Sequence, residues 1–410
     1  MRTRISSVFV AVIAIGLPAA VAVADVTSDR PAAILVFPHV VASRVSGSVG
    51  GTALDIVTDT LIQISNTANE PARLHCFYVN ATGYCSATGG ACDPNPDVFM
   101  GCPSALDICI PRWAETDFDI HLTPRQPLAW RASKGLLRDD LPLDGSPLRG
   151  PSGDSNAGTL VPPVRLREGV PDSPPIHPSF EASIFTGELK CIVVDASGRG
   201  AASNIVKGEA TVTTAFTVTS DSGGTGVNPQ TSRYNAIGIL AIDGDANGDG
   251  VLELGGGANE YNGCPQVLIV QHFFDGARLL GPFEVSMASE LTLVPCTQNF
   301  RAQIPGSVTA QYLVFNEFEQ RFSTSARVDC LFDKVLSKID TRHGERSIFR
   351  IGVAGTLSGQ TRIRGVGGGL LGVLTEKIDD DFEPGYQAGL AAINLALQGD
   401  REQPDFITVP

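Results

Sequence analysis

The chain has 410 residues and carries 44 Asp and Glu against 30 Lys and Arg, a net charge of −14. With no Lys/Arg cluster, that balance excludes nucleic acid and anionic membrane surfaces as expected partners. The 44 Gly, 27 Pro and 3 Met, with many short Val/Ile/Thr runs, point to an all-β protein.

Residues 1–24 read as a signal peptide. Arg2 and Arg4 form a positive n-region, residues 8–17 an apolar h-region, and Ala22, Val23 and Ala24 a small-residue cleavage site. The apolar run falls short of the roughly 20 residues that a membrane span needs, and no later segment reaches that length. The expected location is therefore secreted, either extracellular or periplasmic. Nine cysteines, all beyond residue 24, fit an oxidising compartment.

The first β unit is expected at 25–218. Residues 33–41 (AILVFPHVV) form a strand that Pro38 marks as an edge or first strand, with His39 expected as a core or edge histidine rather than a ligand. Residues 59–80 alternate, turn at 66–71 and resume, which predicts a hairpin. An insertion at 81–112 holds Cys85, Cys92, Cys102 and Cys109. Their spacing lacks C-x2-C pairs or nearby His, so two disulfides in an open pairing are expected rather than zinc. Strands follow at 117–122 and 126–132, the second with a core Trp130. Residues 136–178 dissolve into Pro, Gly, Asp and Ser, an excursion that adds no strand. Strand signals return at 188–194 (ELKCIVV) and 204–218.

Residues 219–306 read as a connecting β segment, and 307–410 as a second unit. There, 308–333 repeats 59–80, with Asn316 and Cys330 placed as Asn66 and Cys76 are, and 349–353 corresponds to 117–122. Each unit supplies six or seven short strands separated by turns, which resembles the immunoglobulin-like sandwich. The fold expected is thus all-β, two tandem sandwiches from an internal duplication. Cys76 is expected to pair with Cys191 and Cys296 with Cys330, leaving Cys264 single.

The most distinctive chemistry lies at 243–254, where acids alternate with glycines. An EF-hand register from Asp243 fails, because Leu254 stands where the twelfth-position acid belongs. From Asp245 the stretch reads D-x-N-G-D-G-x-x-E-L, which resembles the calcium loop of integrin-type FG-GAP repeats, with Glu253 where Asp is usual. The resemblance implies a structural calcium held by Asp245, Asn247 and Asp249, the Val251 carbonyl and Glu253.

Enzyme signatures are missing: there is no G-x-S-x-G, H-E-x-x-H or P-loop. His272 with Asp275 is read as a strand end. Two function classes result. The first is an exported non-catalytic protein, structural or adhesive, with a protein or glycan ligand. The second is a secreted hydrolase with catalytic carboxylates on loops.

Overall fold

The computed structural model describes residues 26–49, 52–81, 83–85, 91–92, 109–110, 113–133, 180–219, 225–257, 259–279, 285–341, 343–380 and 387–410. The expected signal peptide at 1–24, the excursion at 136–178 and the side chains of Cys85, Cys92, Cys102 and Cys109 lie outside the described residues. The rest is all-β. In chain order the strands are β1 (Val26–Thr27), β2 (Ile34–Val49), β3 (Thr52–Asn66), β4 (Ala72–Asn80), β5 (Gly83–Cys85), β6 (Ala91–Cys92), β7 (Cys109–Ile110), β8 (Ala114–Leu122) and β9 (Pro127–Arg131). There follow β10 (Phe180–Val194), β11 (Val206–Thr219), β12 (Thr225–Asn235), β13 (Ile237–Ile239), β14 (Val251–Leu254), β15 (Pro265–Phe273), β16 (Arg278–Leu279), β17 (Val285–Pro295) and β18 (Gln298–Asn299). The chain closes with β19 (Ser307–Asn316), β20 (Arg321–Asp329), β21 (Phe332–Val335), the short helix α1 (Ile351–Ala354), β22 (Ser358–Val366), β23 (Leu370–Asp380), β24 (Gln387–Asn394), β25 (Ala396–Asp400) and β26 (Asp405–Thr408).

The first sheet runs β12-β11-β3-β2-β10-β4-β8, with β1, β9 and β13 paired alongside. It encloses a core between its two halves, because Ile62, Ile64 and Trp130 meet Leu74, Tyr78 and Phe118 in one apolar cluster. The Trp130 indole N–H donates to the Tyr78 hydroxyl at 2.8 Å, so the only polar atom of that ring is satisfied inside the core.

Residues 34–42 of β2, 76–80 of β4 and 187–194 of β10 are buried on both faces. Leu189, Cys191 and Val193 of β10 enter the first core, while Ile192 and Val194 enter a second. The period of two sends alternate residues to opposite sides, so a strand between two cores carries no solvent-facing position. The second core continues through Tyr261, Phe300, Leu371 and Ile407 from the rest of the chain.

Two expectations for this half are corrected. Pro38 does not put its strand at an edge: β2 lies between β3 and β10. Gly187 pairs with Val40 and Leu189 with Phe37, so Pro38 and His39 stand opposite the single Glu188 as a bulge. The missing proline N–H falls there, and the Tyr234 hydroxyl accepts from the His39 N–H (3.2 Å) and donates to its carbonyl (2.5 Å). The second correction concerns residues 59–80, which are no hairpin: β3 pairs with β2, β9 and β11, whereas β4 pairs with β8 and β10. The turn residues bond outward. Asn66 Nδ2 reaches the Thr123 carbonyl (3.0 Å) and the Thr67 N–H the Ile205 carbonyl (2.7 Å), so the chain crosses between sheet halves instead of reversing.

In the second half, β20-β19-β22-β15-β25 packs on β16-β17-β23-β24, with β21 beside β17. Leu268, Leu291, Tyr312, Val314, Ile363 and Leu374 fill the space between them. The segment 219–306 therefore does more than connect, since β15 and β17 are full members of these sheets. Residues 349–353, expected as a strand, lead instead into α1, which ends on Gly355 at φ +76°.

The structure joins Cys76 to Cys191, which face each other across β4 and β10. It joins Cys296 to Cys264 and not to Cys330. Cys264 immediately precedes β15 and Cys296 immediately follows β17, and Gly369 packs onto both. A Cβ at that glycine would lie 2.6 Å from the Cys264 Cβ and 2.8 Å from the Cys296 Sγ. Cys330 sits buried at φ +65° with a thiol that burial pushes well up. Peptide mapping without reduction should link Cys76 to Cys191 and Cys264 to Cys296, with Cys330 alkylated only after unfolding. The first bridge spans 115 residues, so Cys191→Ala should cost about 4–5 kcal/mol in the loop-entropy account. A link between Cys296 and Cys330 would refute the assignment.

Candidate functional site

The acidic loop begins after β13 and ends in β14, which pairs antiparallel with β26 from Val251–Thr408 to Leu254–Asp405. Tight turning is built in: Gly244, Gly248 and Gly250 have φ of +67°, +70° and +74°. At Gly244 a Cβ would lie 2.7 Å from the Gly200 carbonyl, so glycine is also needed for room.

Asp245 is buried, and its two oxygens accept from the N–H groups of Gly248 (2.9 Å) and Gly250 (3.2 Å). Asn247 Oδ1 accepts from the Asp249 N–H (2.8 Å), and Asp249 Oδ1 from the Val251 N–H (2.7 Å). Each of these side chains folds the loop back two to five residues ahead, the local capping that Asx side chains favour. The Glu253 N–H donates to Glu260 Oε2 (2.9 Å), while the Glu253 carboxylate lies over Gly256.

Glu260 was not visible as a site residue in the sequence. Its Oε1 accepts from Asn247 Nδ2 at 3.1 Å. Burial raises its pKa, a backbone hydrogen bond from Glu253 opposes this, and the charges of Asp245, Asp249 and Glu253 add to the rise. The signal available was the glycine run 255–257, which turns the chain back on itself beside the loop.

The loop thus gathers hard oxygen donors of the kind calcium takes. Hydrogen bonds link Asn247 to Asp249 and to Glu260, Asp245 holds the Gly248 and Gly250 N–H groups, and the Glu253 carboxylate lies apart, over Gly256. Among the described residues the loop carboxylates form no triad within 4.8 Å; the triad of that size is Cys264, Cys296 and Asp405, whose sulfurs are bonded to each other. Arg301 closes the outer side, donating from Nη2 to the Asp249 carbonyl (3.2 Å) and from Nε to the Val409 carbonyl (3.0 Å).

A second cluster lies on β4 and β8. Glu115, Asp117 and Asp119 alternate along one face of β8, opposite Val79, Phe77 and His75. His75 Nδ1 lies 3.0 Å from Asp119, and Nε2 contacts Asp117 at 3.4 Å without hydrogen-bond geometry. Burial works against the imidazolium, but both carboxylates outweigh it and raise the His75 pKa to about 9. Burial, then the Asp117 charge, raises Glu115 to about 7. The cavity beside His75 measures about 20 Å³, room for one water and not for a substrate.

The remaining candidates are structural. Burial pushes His272 down to about 4, and its Nε2 meets the Thr361 hydroxyl at 2.8 Å. Asp275 instead clamps the N–H groups of Ser289 (2.9 Å) and Ser337 (2.7 Å). His39 is likewise buried and pushed to about 4. The outer face of β15, β19, β20 and β22 holds an open groove of about 920 Å³ lined by Gln266, Gln311, Thr324, Ser325, Arg362 and Arg364, among others. No helix among the described residues is long and apolar enough to cross a membrane.

No protein-family model matches the chain, and no curated protein does either.

The His75 cluster sets a pH dependence. Both groups have folded pKa values above their ordinary ones, so both stabilise the protonated, acid side. The Glu115 contribution is present below 4.5 and lost as pH rises through about 7. The His75 contribution is present below 6.5 and lost as pH rises through about 9. Denaturant titrations across that range should show stability falling in two stages. Glu115→Gln should abolish the lower stage and Asp119→Asn diminish the upper; unchanged profiles in both variants would count against the cluster.

Proposed function

We propose that the chain is an exported, non-catalytic β protein with a structural or adhesive role, in which calcium stiffens the loop 243–254. The observation that carries this reading is the loop geometry. Three ligand-type side chains and the buried Glu260 are pre-folded around turns that only glycine adopts easily, next to the strand that ends the chain. Asp245, Asn247, Asp249 and the Val251 carbonyl are the assigned ligands; Glu253 or Glu260 supplies the last carboxylate. Burial first, and then the charges of Asp245, Asp249 and Glu253, raise the Glu260 pKa, and calcium there offsets the repulsive part. The ligand, a protein or a glycan, is assigned to the groove on β15, β19, β20 and β22. Its amides, hydroxyls and two guanidinium groups suit hydrogen-bonded recognition.

The two halves are read as related immunoglobulin-like units. Asn66 and Asn316 support this. Each ends its strand, accepts from the N–H two residues on (2.9 and 3.0 Å), and donates to the carbonyl of a distant residue, Thr123 just after β8 or Ala354 at the end of α1. In each half that strand also pairs with a later one, β3 with β9 and β19 with β22.

Thermal melting with calcium and with chelator tests the metal reading. Binding to the folded state alone should stabilise by roughly 2.7 kcal/mol at a hundredfold excess over Kd. Asp249→Ala should remove most of the calcium shift. Equal melting with and without calcium would leave the loop an acidic turn, and a shift that survived Asp249→Ala would put the ion elsewhere.

A further inference from the structure

Strand β10 carries two charged side chains on the face that it shares with Ile192 and Val194. Glu188 and Lys190 are two residues apart and so point the same way, into the second core, where they are 1% and 0% exposed. Between them and the second half of the molecule stands Gln298 of β18, also 1% exposed. Lys190 Nζ donates to Gln298 Oε1, and Gln298 Nε2 donates to Glu188 Oε1. Lys190 Nζ further donates to the Pro295 carbonyl at 3.2 Å and lies 3.4 Å from Glu188 Oε2, an oxygen that accepts no hydrogen bond. Phe300 roofs the group, its ring centroid 6.0 Å from Nζ, and Phe77 stacks on Phe300 at 4.1 Å.

This ring of amine, primary amide and carboxyl group is buried and held by strands. Positioned in this way, reactants that are sluggish in water gain the advantage of an intramolecular reaction. We propose that Lys190 and Gln298 join in an intramolecular isopeptide bond, with Glu188 as the proton carrier. The Nζ lone pair attacks the Gln298 side-chain carbonyl carbon. Glu188 gives a proton to the departing Nε2 and takes one from Nζ, so it ends as it began. One C–N bond forms, one breaks, and ammonia leaves; no oxidant, reductant or metal enters the balance.

The protonation states favour this course. Burial lowers the Lys190 pKa and raises that of Glu188, with their mutual attraction opposing both shifts. A neutral amine is the nucleophile the step needs, and a neutral carboxylic acid is the proton donor. The product amide is uncharged, so the bond leaves no ammonium that could form at the buried Lys190 position. Cys330 interacts electrostatically with Glu188 and Lys190, and its thiol is a second nucleophilic group of this neighbourhood. Burial holds that thiol protonated, which favours the amine.

The test is peptide mapping by mass spectrometry on the full chain, reduced, denatured and digested with trypsin. The expected result is a branched product joining the Lys190 and Gln298 peptides, lighter than their sum by one ammonia, with no cleavage after Lys190. It should be stoichiometric in the wild type, absent in Lys190→Met and lost in Glu188→Gln. Two linear peptides from the wild type would overturn the proposal, whether or not the variants fold. Equal yield in Glu188→Gln would remove Glu188 as proton carrier. A product that contains the Cys330 peptide and is cleaved by hydroxylamine would be a thioester and would also overturn it. None of these outcomes depends on calcium, so the result stands apart from the melting experiment.

Discussion

Burial of β10 on both faces is the constraint on which the molecule depends. A strand in that position must satisfy its backbone with neighbours on both edges and its side chains with a core on each side. β2 and β4 supply the edges, with twelve and eight paired positions. Leu189, Cys191 and Val193 supply one core, and Ile192 and Val194 the other. Every residue of β10 from 187 to 194 is therefore spoken for, and the Cys76–Cys191 bridge locks the register at its centre. The two halves of the chain meet across that strand, so packing and connectivity are decided in the same place.

Much of this was legible in the sequence. Alternation located most strands, and ELKCIVV reads as a strand, although Glu188 and Lys190 interrupt its apolar run and hide its burial on both sides. What stayed hidden depended on partners far away in the chain. Pro38 looked like an edge residue because its rescuer, the Tyr234 hydroxyl, lies 195 residues on from His39. Residues 59–80 looked like a hairpin because Asn66–Pro71 has turn chemistry, yet those groups bond to residues near 123 and 205. Cys264 looked single because local order suggested Cys330 for Cys296. Lys190 and Gln298, 108 residues apart, gave no local signal at all.

The acidic loop shows the opposite case. Its residue spacing announced oxygen chemistry, and the structure adds what spacing cannot, the return of Glu260 and the clamp of β26 on β14. The last strand runs parallel to β18 on its other edge, so Gln298 and the loop are held by the same four residues, Asp405–Thr408. Asp405 strengthens the clamp by accepting from Thr297 Oγ1 (2.9 Å), the Gly369 N–H (2.8 Å) and Arg401 Nε (3.1 Å).

The bulge at Pro38 and His39 has a geometric role beyond tolerating a proline. Before it, Leu35 and Phe37 face the first core; after it, Val40 and Ala42 do. The odd positions hand over to the even ones, and the extra residue keeps one face of the strand, from Leu35 to Ala42, aimed at one core. Length here is thus a coding variable in its own right, as reading frame is in a gene. A substitution at Pro38 alters one contact, whereas loss of a single residue from this pair would present the wrong side of half a strand to each core. The site should accept changes of identity far more readily than changes of count.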